Sequence, residues 1–151
     1  MNLKYKKAEK ADADILINIY NLSFYEDYVK YGECPAYEKT KVSMEESIQK
    51  YQKLIIYSDD IPLGAISIDK KENGEYYLGC LCIIPEFQNK GIGKQAVKYI
   101  LAYYKDWSKV TLITPADKEK NIAFYTKKCG FRIESTKMNG NVKVVHLLLE
   151  R

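Results

Sequence analysis

Between Ile15 and Leu22 the apolar residues Ile15, Leu16, Ile19, Tyr20 and Leu22 recur at helical spacing, which predicts a helix that Asp12 or Asp14 can cap. A short strand is predicted before it, near Leu3 to Lys6, and a looser segment after it, from Phe24 to Thr40. Ser43, with Glu46 three residues on, makes a capping-box start for a second helix bearing Met44, Ile48 and Tyr51 on one side. The pattern then changes to strands. Leu54 to Tyr57 and Leu63 to Ile68 are separated by the turn-forming Ser58-Asp59-Asp60, and Asn73-Gly74 marks the next turn. Tyr76 to Ile84 is apolar at nearly every position, as expected of a central strand covered on both faces, and it stops at Pro85. From Lys90 to Tyr104, the residues Ile92, Ala96, Val97, Ile100, Leu101 and Tyr104 form one stripe while Lys94, Lys98 and Lys105 point away, which predicts an amphipathic helix. A strand at Val110 to Thr114 follows, then a helix from Lys118 to Cys129 ended by Gly130. A hairpin of Phe131 to Met138 and Val142 to Leu149, turning at Asn139-Gly140, closes the chain. No repeat, low-complexity tract or linker divides this order, so residues 1–151 read as a single domain.

Composition narrows the class without naming a chemistry. With 46% hydrophobic and 29% charged residues, the chain has the make-up of a soluble globular protein, and no stretch approaches the ~20 apolar residues of a membrane span. The lysines of residues 1–10 are followed by no apolar block, so no signal peptide is read and a cytoplasmic location is expected. Cys34, Cys80, Cys82 and Cys129 have neither the paired spacing of a zinc site nor the density of a disulfide scaffold, so no metal is expected and all four are read as reduced. Cys80 and Cys82 share one strand face and read as core packing. The net charge of +4 is small, and its lysines are spread over every helix rather than gathered beside aromatic platforms, which argues against a nucleic-acid partner.

The segment Ile83-Ile84-Pro85-Glu86-Phe87-Gln88-Asn89-Lys90-Gly91-Ile92-Gly93-Lys94 is a buried strand that breaks into a glycine-containing turn and enters a helix directly. Such a turn is suited to phosphate, because the first amide N–H groups of a helix lack internal partners and carry the positive end of its dipole. Glycine at 91 and 93 removes the β-carbons that would keep phosphate oxygens from that backbone. The spacing is neither the dinucleotide fingerprint nor a P-loop, since a third glycine and a closing Gly-Lys-Ser/Thr are missing. A second element begins 28 residues after Gly93: Asn121-Ile122-Ala123-Phe124-Tyr125, continuing to Gly130-Phe131.

Together, Pro-x-x-Gln-x-x-Gly-x-Gly and Asn-x-x-x-Tyr-x-x-x-x-Gly-Phe resemble the paired cofactor motifs of the GNAT superfamily of N-acetyltransferases. The resemblance implies an α/β (α+β) fold. Its core would be a mixed, mostly antiparallel sheet of six to seven strands flanked by about four helices, with a V-shaped splay at the central strands. It implies acetyl-coenzyme A as cosubstrate, with its pyrophosphate on the turn formed by Gln88, Asn89, Lys90, Gly91, Ile92, Gly93 and Lys94. Pantetheine would pair with the backbone of Leu81, Cys82 and Ile83, where one N–H would polarise the thioester carbonyl. Asn121 would bind the pantetheine arm, and Tyr125 would protonate the departing thiolate as general acid.

The acceptor implied is a small-molecule or peptide amine that attacks the thioester directly. Neutralising an amine of pKa ~10.4 at neutral pH costs about 4–5 kcal/mol, so a base or water relay is needed. Many members place a glutamate on the central strand; this sequence has Tyr77 there. Glu33 and Glu26 are the substitutes considered, acting through water. Tyr25, Tyr28 and Tyr31, interleaved with acidic residues on the acceptor side, are candidates for binding a cationic amine, together with Tyr77. A homodimer is also implied, since the C-terminal hairpin is a frequent dimer surface in relatives. The competing reading is a non-catalytic acyl-coenzyme A-binding regulatory module, which absence of the strand glutamate favours and retention of Tyr125 opposes.

Overall fold

The computed structural model describes residues 2–151. Among them run β1 (Leu3–Lys7), α1 (Ala13–Tyr31), α2 (Lys41–Lys50), β2 (Gln52–Ser58), β3 (Ile61–Lys70), β4 (Glu75–Ile83), α3 (Ile92–Tyr103), β5 (Lys109–Pro115), α4 (Glu119–Ala123), β6 (Arg132–Asn139) and β7 (Val142–Glu150). The expected order of elements is observed. The strands form one sheet in the order β1-β2-β3-β4-β5-β7-β6. β1/β2, β2/β3, β5/β7 and β6/β7 are antiparallel, whereas β4/β5 is parallel, as a connection through α3 requires. The expected mixed, mostly antiparallel seven-stranded sheet with four helices is therefore present.

The chain divides into two compact units. The first comprises residues 2–68 with Cys80–Gly93. Its core is built from Leu16 and Ile19 of α1, Met44 of α2, Ile55 and Ile56 of β2, and Leu63 and Ile66 of β3, each fully buried and each contributing about 1.5–3 kcal/mol from the apolar area withdrawn from water. Gly64 of β3 is a packing glycine. A β-carbon built there would stand 2.6 Å from the Cys82 carbonyl oxygen and 2.8 Å from Ile83 Cδ1.

Three features of this unit depart from the sequence pattern. α1 continues to Tyr31 instead of loosening after Leu22, and it ends on Gly32, whose φ of +74° forms a left-handed cap. Its second half was hidden because Leu22, Tyr25, Tyr28 and Val29 are exposed, which blurs the one-sided stripe. α2 is capped not by Ser43 but by Thr40, whose Oγ1 accepts from the Ser43 N–H at 3.0 Å. Thr40→Ala should cost about 1 kcal/mol in urea denaturation, the usual effect of losing such a cap. Asp12 precedes α1 but its side chain does not cap it; buried, its carboxylate accepts from the Glu9 N–H at 2.8 Å and from Lys6 Nζ at 2.8 Å instead.

Burial opposes ionisation of Asp12, but the Lys6 ammonium and the Glu9 N–H outweigh it and hold the carboxyl below its ordinary value of 3.8. A depressed folded-state pKa contributes stability that is complete above 3.8 and is lost as pH falls through the lower folded value. Asp12→Asn should therefore destabilise by about 1–2 kcal/mol at neutral pH. Denaturation repeated well below pH 3.8 should find the two proteins converging.

The second unit comprises Asp69–Gly79 and Lys94–Arg151. β5 alternates strictly, with Val110, Leu112 and Thr114 buried, and pairs with β7 along its whole length. The turn before β4 uses Asn73 and Gly74, both at positive φ, as the sequence suggests. The last hairpin turns one residue later than expected: Gly140, at φ +62°, and Asn141 form the two-residue loop. Glycine leads there because only the first central position needs positive φ. The predicted continuous helix to Cys129 is interrupted, since α4 gives way to a π-helical turn at Phe124–Lys128. No helix among the described residues is long and apolar enough to cross a membrane.

Candidate active site

The turn that the sequence marks for phosphate begins where β4 ends. Ile84 N–H donates to the Leu63 carbonyl at 2.8 Å, tying the chain to β3. Pro85, Glu86 and Phe87 then make one 3₁₀ turn, and the Gln88 side-chain amide folds back onto the Ile83 carbonyl at 2.9 Å. The Gln88 side chain thus braces the turn, leaving recognition there to backbone groups. Asn89 has φ +63° and Gly91 φ +79°, while Lys90 and Ile92 keep negative values. Alternating φ of this kind turns successive N–H groups toward one side, the geometry of an anion-binding nest. Ile92 is buried and anchors the first turn of α3. A β-carbon on Gly91 would meet nothing within 4 Å, so glycine is required there by its φ and not by protein packing. Lys90 and Lys94 are exposed on either side of it.

β4 is not covered on both faces as its composition suggests. Tyr76, Leu78, Cys82 and Ile84 are buried, whereas Tyr77, Leu81 and Ile83 are half-buried and Gly79 is exposed. Its apolar residues line a partly open face. The ladder between β4 and β5 contains three pairs, Glu75↔Lys109, Tyr76↔Val110 and Tyr77↔Thr111, and makes none beyond Tyr77 among the described residues.

In the second unit Asn121 is exposed on α4, and Tyr125 is 8% exposed within the π-helical turn. Its ring meets Phe124 and Phe131 edge-on at 5.0 and 5.7 Å, and its carbonyl accepts from the Phe131 N–H at 3.0 Å. Gly130, at φ +82°, makes that return possible. The Asn-x-x-x-Tyr-x-x-x-x-Gly-Phe spacing therefore encodes a local frame that fixes the Tyr125 ring. Cys129 is held as a thiol, its pKa pushed up to about 11 by burial against the opposing pull of Lys94 and Lys128.

On the acceptor-side helices, Tyr28 stacks on Tyr37 at 4.7 Å and Tyr25 meets the same ring at 6.0 Å. Tyr25 and Tyr28 are exposed, and this three-ring group is a local cluster at the end of α1. Tyr31 instead lies beneath the Lys30 ammonium, 5.4 Å from its ring. Tyr77 belongs to β4. Glu26, on α1, and Glu33, just beyond it, are both exposed. One charged residue that the sequence pattern did not single out is Lys53, 5% exposed beside Tyr20. It is the second residue of β2, just before the continuous apolar run Leu54-Ile55-Ile56, and a lysine at the start of such a run carried no signal of burial.

The mixed seven-stranded sheet, with β4 and β5 parallel, is that of a coenzyme A-dependent acyltransferase fold. The chain belongs to the acetyltransferase (GNAT) family, whose model matches residues 14–131. An acetyltransferase from Thermus thermophilus superposes with a TM-score of 0.83 at 18% identity, over 100% of this chain and 98% of that one. The PaiA N-acetyltransferase of Thermoplasma acidophilum, solved with coenzyme A, gives 0.76 at 22% identity over 97% and 98%. Spermidine N-acetyltransferase of Vibrio cholerae, solved with CoA and spermine, gives 0.78 at 17% over 98% and 95%. At such identities the likeness is one of fold. In sequence, 70 residues are 36% identical to the uncharacterised YrkN protein of Bacillus subtilis strain 168, an alignment spanning 46% of this chain and 38% of that protein.

Proposed function

We propose that this protein is an N-acetyltransferase that transfers the acetyl group of acetyl-coenzyme A to a primary amine by direct attack within a ternary complex. The observation that carries the reading is the Gln88–Gly93 turn, where alternating φ and the start of α3 turn backbone donors toward an anion. In this reading the pyrophosphate is held by the backbone of Gln88, Asn89, Lys90, Gly91, Ile92 and Gly93, with Lys94 adding charge. Pantetheine lies along Leu81, Cys82 and Ile83 of β4 as an extended ligand, beyond the last β4/β5 pair found among the described residues, at Tyr77. Asn121 bonds its amide arm. Tyr125 donates its proton to the leaving sulfur, its ring held by Phe124 and Phe131 so that little reorganisation accompanies reaction.

Tyr25, Tyr28 and Tyr37 are the aromatic surface for a cationic acceptor. Glu26 and Glu33, being solvated, would take the amine proton through water. The test is release of free coenzyme A thiol against a panel of amines, with calorimetric binding of coenzyme A alongside. Turnover with at least one amine is expected. Tight binding without turnover on any of them would replace this reading with a non-catalytic acyl-coenzyme A-binding module.

A further inference from the structure

The helix that carries Tyr125 is too short to hold its own winding. α4 spans five residues, Glu119–Ala123, far below the ~12–15 that an isolated helix needs to persist in water. The chain beyond it does not continue in the α-helical winding expected up to Cys129 but opens into the π-helical turn at Phe124–Lys128. The closure of the helix is wide in the same sense. In the usual glycine-ended cap the returning N–H reaches a carbonyl about five residues back. Here the Phe131 N–H reaches the Tyr125 carbonyl, one residue further back, at 3.0 Å, and Gly130 at φ +82° makes the bend.

One side chain inside the turn fastens it. Thr126 is half-buried, and its Oγ1 donates to the Ile122 carbonyl, one α-helical turn back, at 2.8 Å. In regular winding that carbonyl is the acceptor for the Thr126 N–H, so a hydroxyl donating there competes with the backbone and bends the helix at that point. Tyr125 is thus bracketed by two ties, Thr126 onto Ile122 on one side and Phe131 onto the Tyr125 carbonyl on the other. Between them its ring meets Phe124 at 5.0 Å and Phe131 at 5.7 Å. Retightening to α-helical winding would shift the turn by up to one position, about 100° around the axis, and the wide closure onto Phe131 would be lost with the ring contact.

We propose that Thr126 is a positioning residue for acetyl transfer: its hydroxyl, clasped to the Ile122 carbonyl, holds open the turn that aims the Tyr125 hydroxyl. This rests on the reading of Tyr125 as general acid given above. Thr126 touches neither cofactor nor acceptor in this assignment and acts through Tyr125. Proton donation to the leaving sulfur demands a set approach, so a ring that swings with its turn loses rate. Coenzyme A affinity does not follow it, because the glycine turn and not this one carries the phosphate in that reading.

Thr126→Val keeps the β-branched shape and removes the donor, whereas Thr126→Ser keeps the donor. With acetyl-coenzyme A and the amine of the panel above that turns over fastest, Thr126→Val should lower kcat about 3–10-fold, the factor that one lost hydrogen bond carries. Calorimetric coenzyme A affinity should stay unchanged, and Thr126→Ser should restore most of the rate. The deciding comparison repeats Thr126→Val in a Tyr125→Phe background. With no hydroxyl left to aim, the second substitution should add nothing there, whereas a merely structural role would lower kcat by the same factor in both backgrounds. Equal loss in both, full kcat in Thr126→Val, or no recovery in Thr126→Ser overturns this inference and leaves Tyr125 as the acid. Full kcat in Tyr125→Phe alone, or no turnover on any amine, overturns the role of Tyr125 and that of Thr126 with it.

Discussion

Gly91→Val is expected to weaken coenzyme A binding at least about 100-fold while the protein stays folded. Gly91 has φ +79°, a conformation that costs an L-residue about 1–2 kcal/mol and a β-branched one more. The substituted turn relaxes toward negative φ, and the N–H groups proposed to hold the phosphate then diverge. Each such bond to a charged oxygen is worth about 1.5–3 kcal/mol, so losing two accounts for the factor of 100. Since the added side chain meets no protein atom within 4 Å, destabilisation arises from backbone strain alone. Gly32 supplies the matched control: its φ is +74°, and a β-carbon there also finds nothing within 4 Å. Gly32→Val should lower Tm by a similar few degrees, at about 2–4 °C per kcal/mol for a chain of this size, with coenzyme A affinity unchanged. Equal affinity loss in both variants would trace the effect to general destabilisation and remove the turn from cofactor binding.

Tyr125→Phe should lower kcat by roughly 10–1000-fold with coenzyme A affinity nearly unchanged, the pattern for a group whose hydrogen bond forms only as charge develops on sulfur. Phenylalanine keeps the ring contacts with Phe124 and Phe131, which depend on the ring, and the Phe131 N–H bond, which depends on the backbone. Coenzyme A thiolate, with a pKa near ~8.5 like a free cysteine, is a fair leaving group, which places the expected loss toward the smaller end. Steady-state rates and acetyl-coenzyme A titrations on both proteins decide it. Retained kcat would take Tyr125 out of the chemistry; lost affinity would recast it as a cofactor contact.

The glycine turn was legible where backbone conformation calls for glycine. Gly91 and Gly130 announce positive φ, and both have it. Asn89 shares that conformation without a glycine to advertise it, so only the coordinates reveal the alternation. The order of elements along the chain followed from the sequence of periods, but lengths did not: the outer half of α1 carries Tyr25, Tyr28 and Val29 on its exposed side, and a helix decorated so has no readable stripe. The π-helical turn at Tyr125 leaves no periodic mark, since widening one turn by a residue disturbs the apolar spacing less than ordinary variation does. Lys53 was unreadable for another reason. A lysine's burial is set by partners distant in sequence, here Tyr20, whose approach is a property of the assembled fold.

Gly64 separates two kinds of constraint that a mutational library would otherwise confound. Its neighbour is a main-chain carbonyl, which cannot rotate away as a side chain can, and even alanine would place a methyl carbon 2.6 Å from that oxygen. Selection for folded protein alone, with no ligand in the assay, should therefore recover only glycine at 64. At 91 the same selection should admit asparagine and a scatter of other residues, because the space is open and the penalty is conformational. Adding a requirement for cofactor binding should then narrow 91 and leave 64 as it was, so comparing the two enrichment profiles reads structural and ligand-imposed invariance from the same pool of variants.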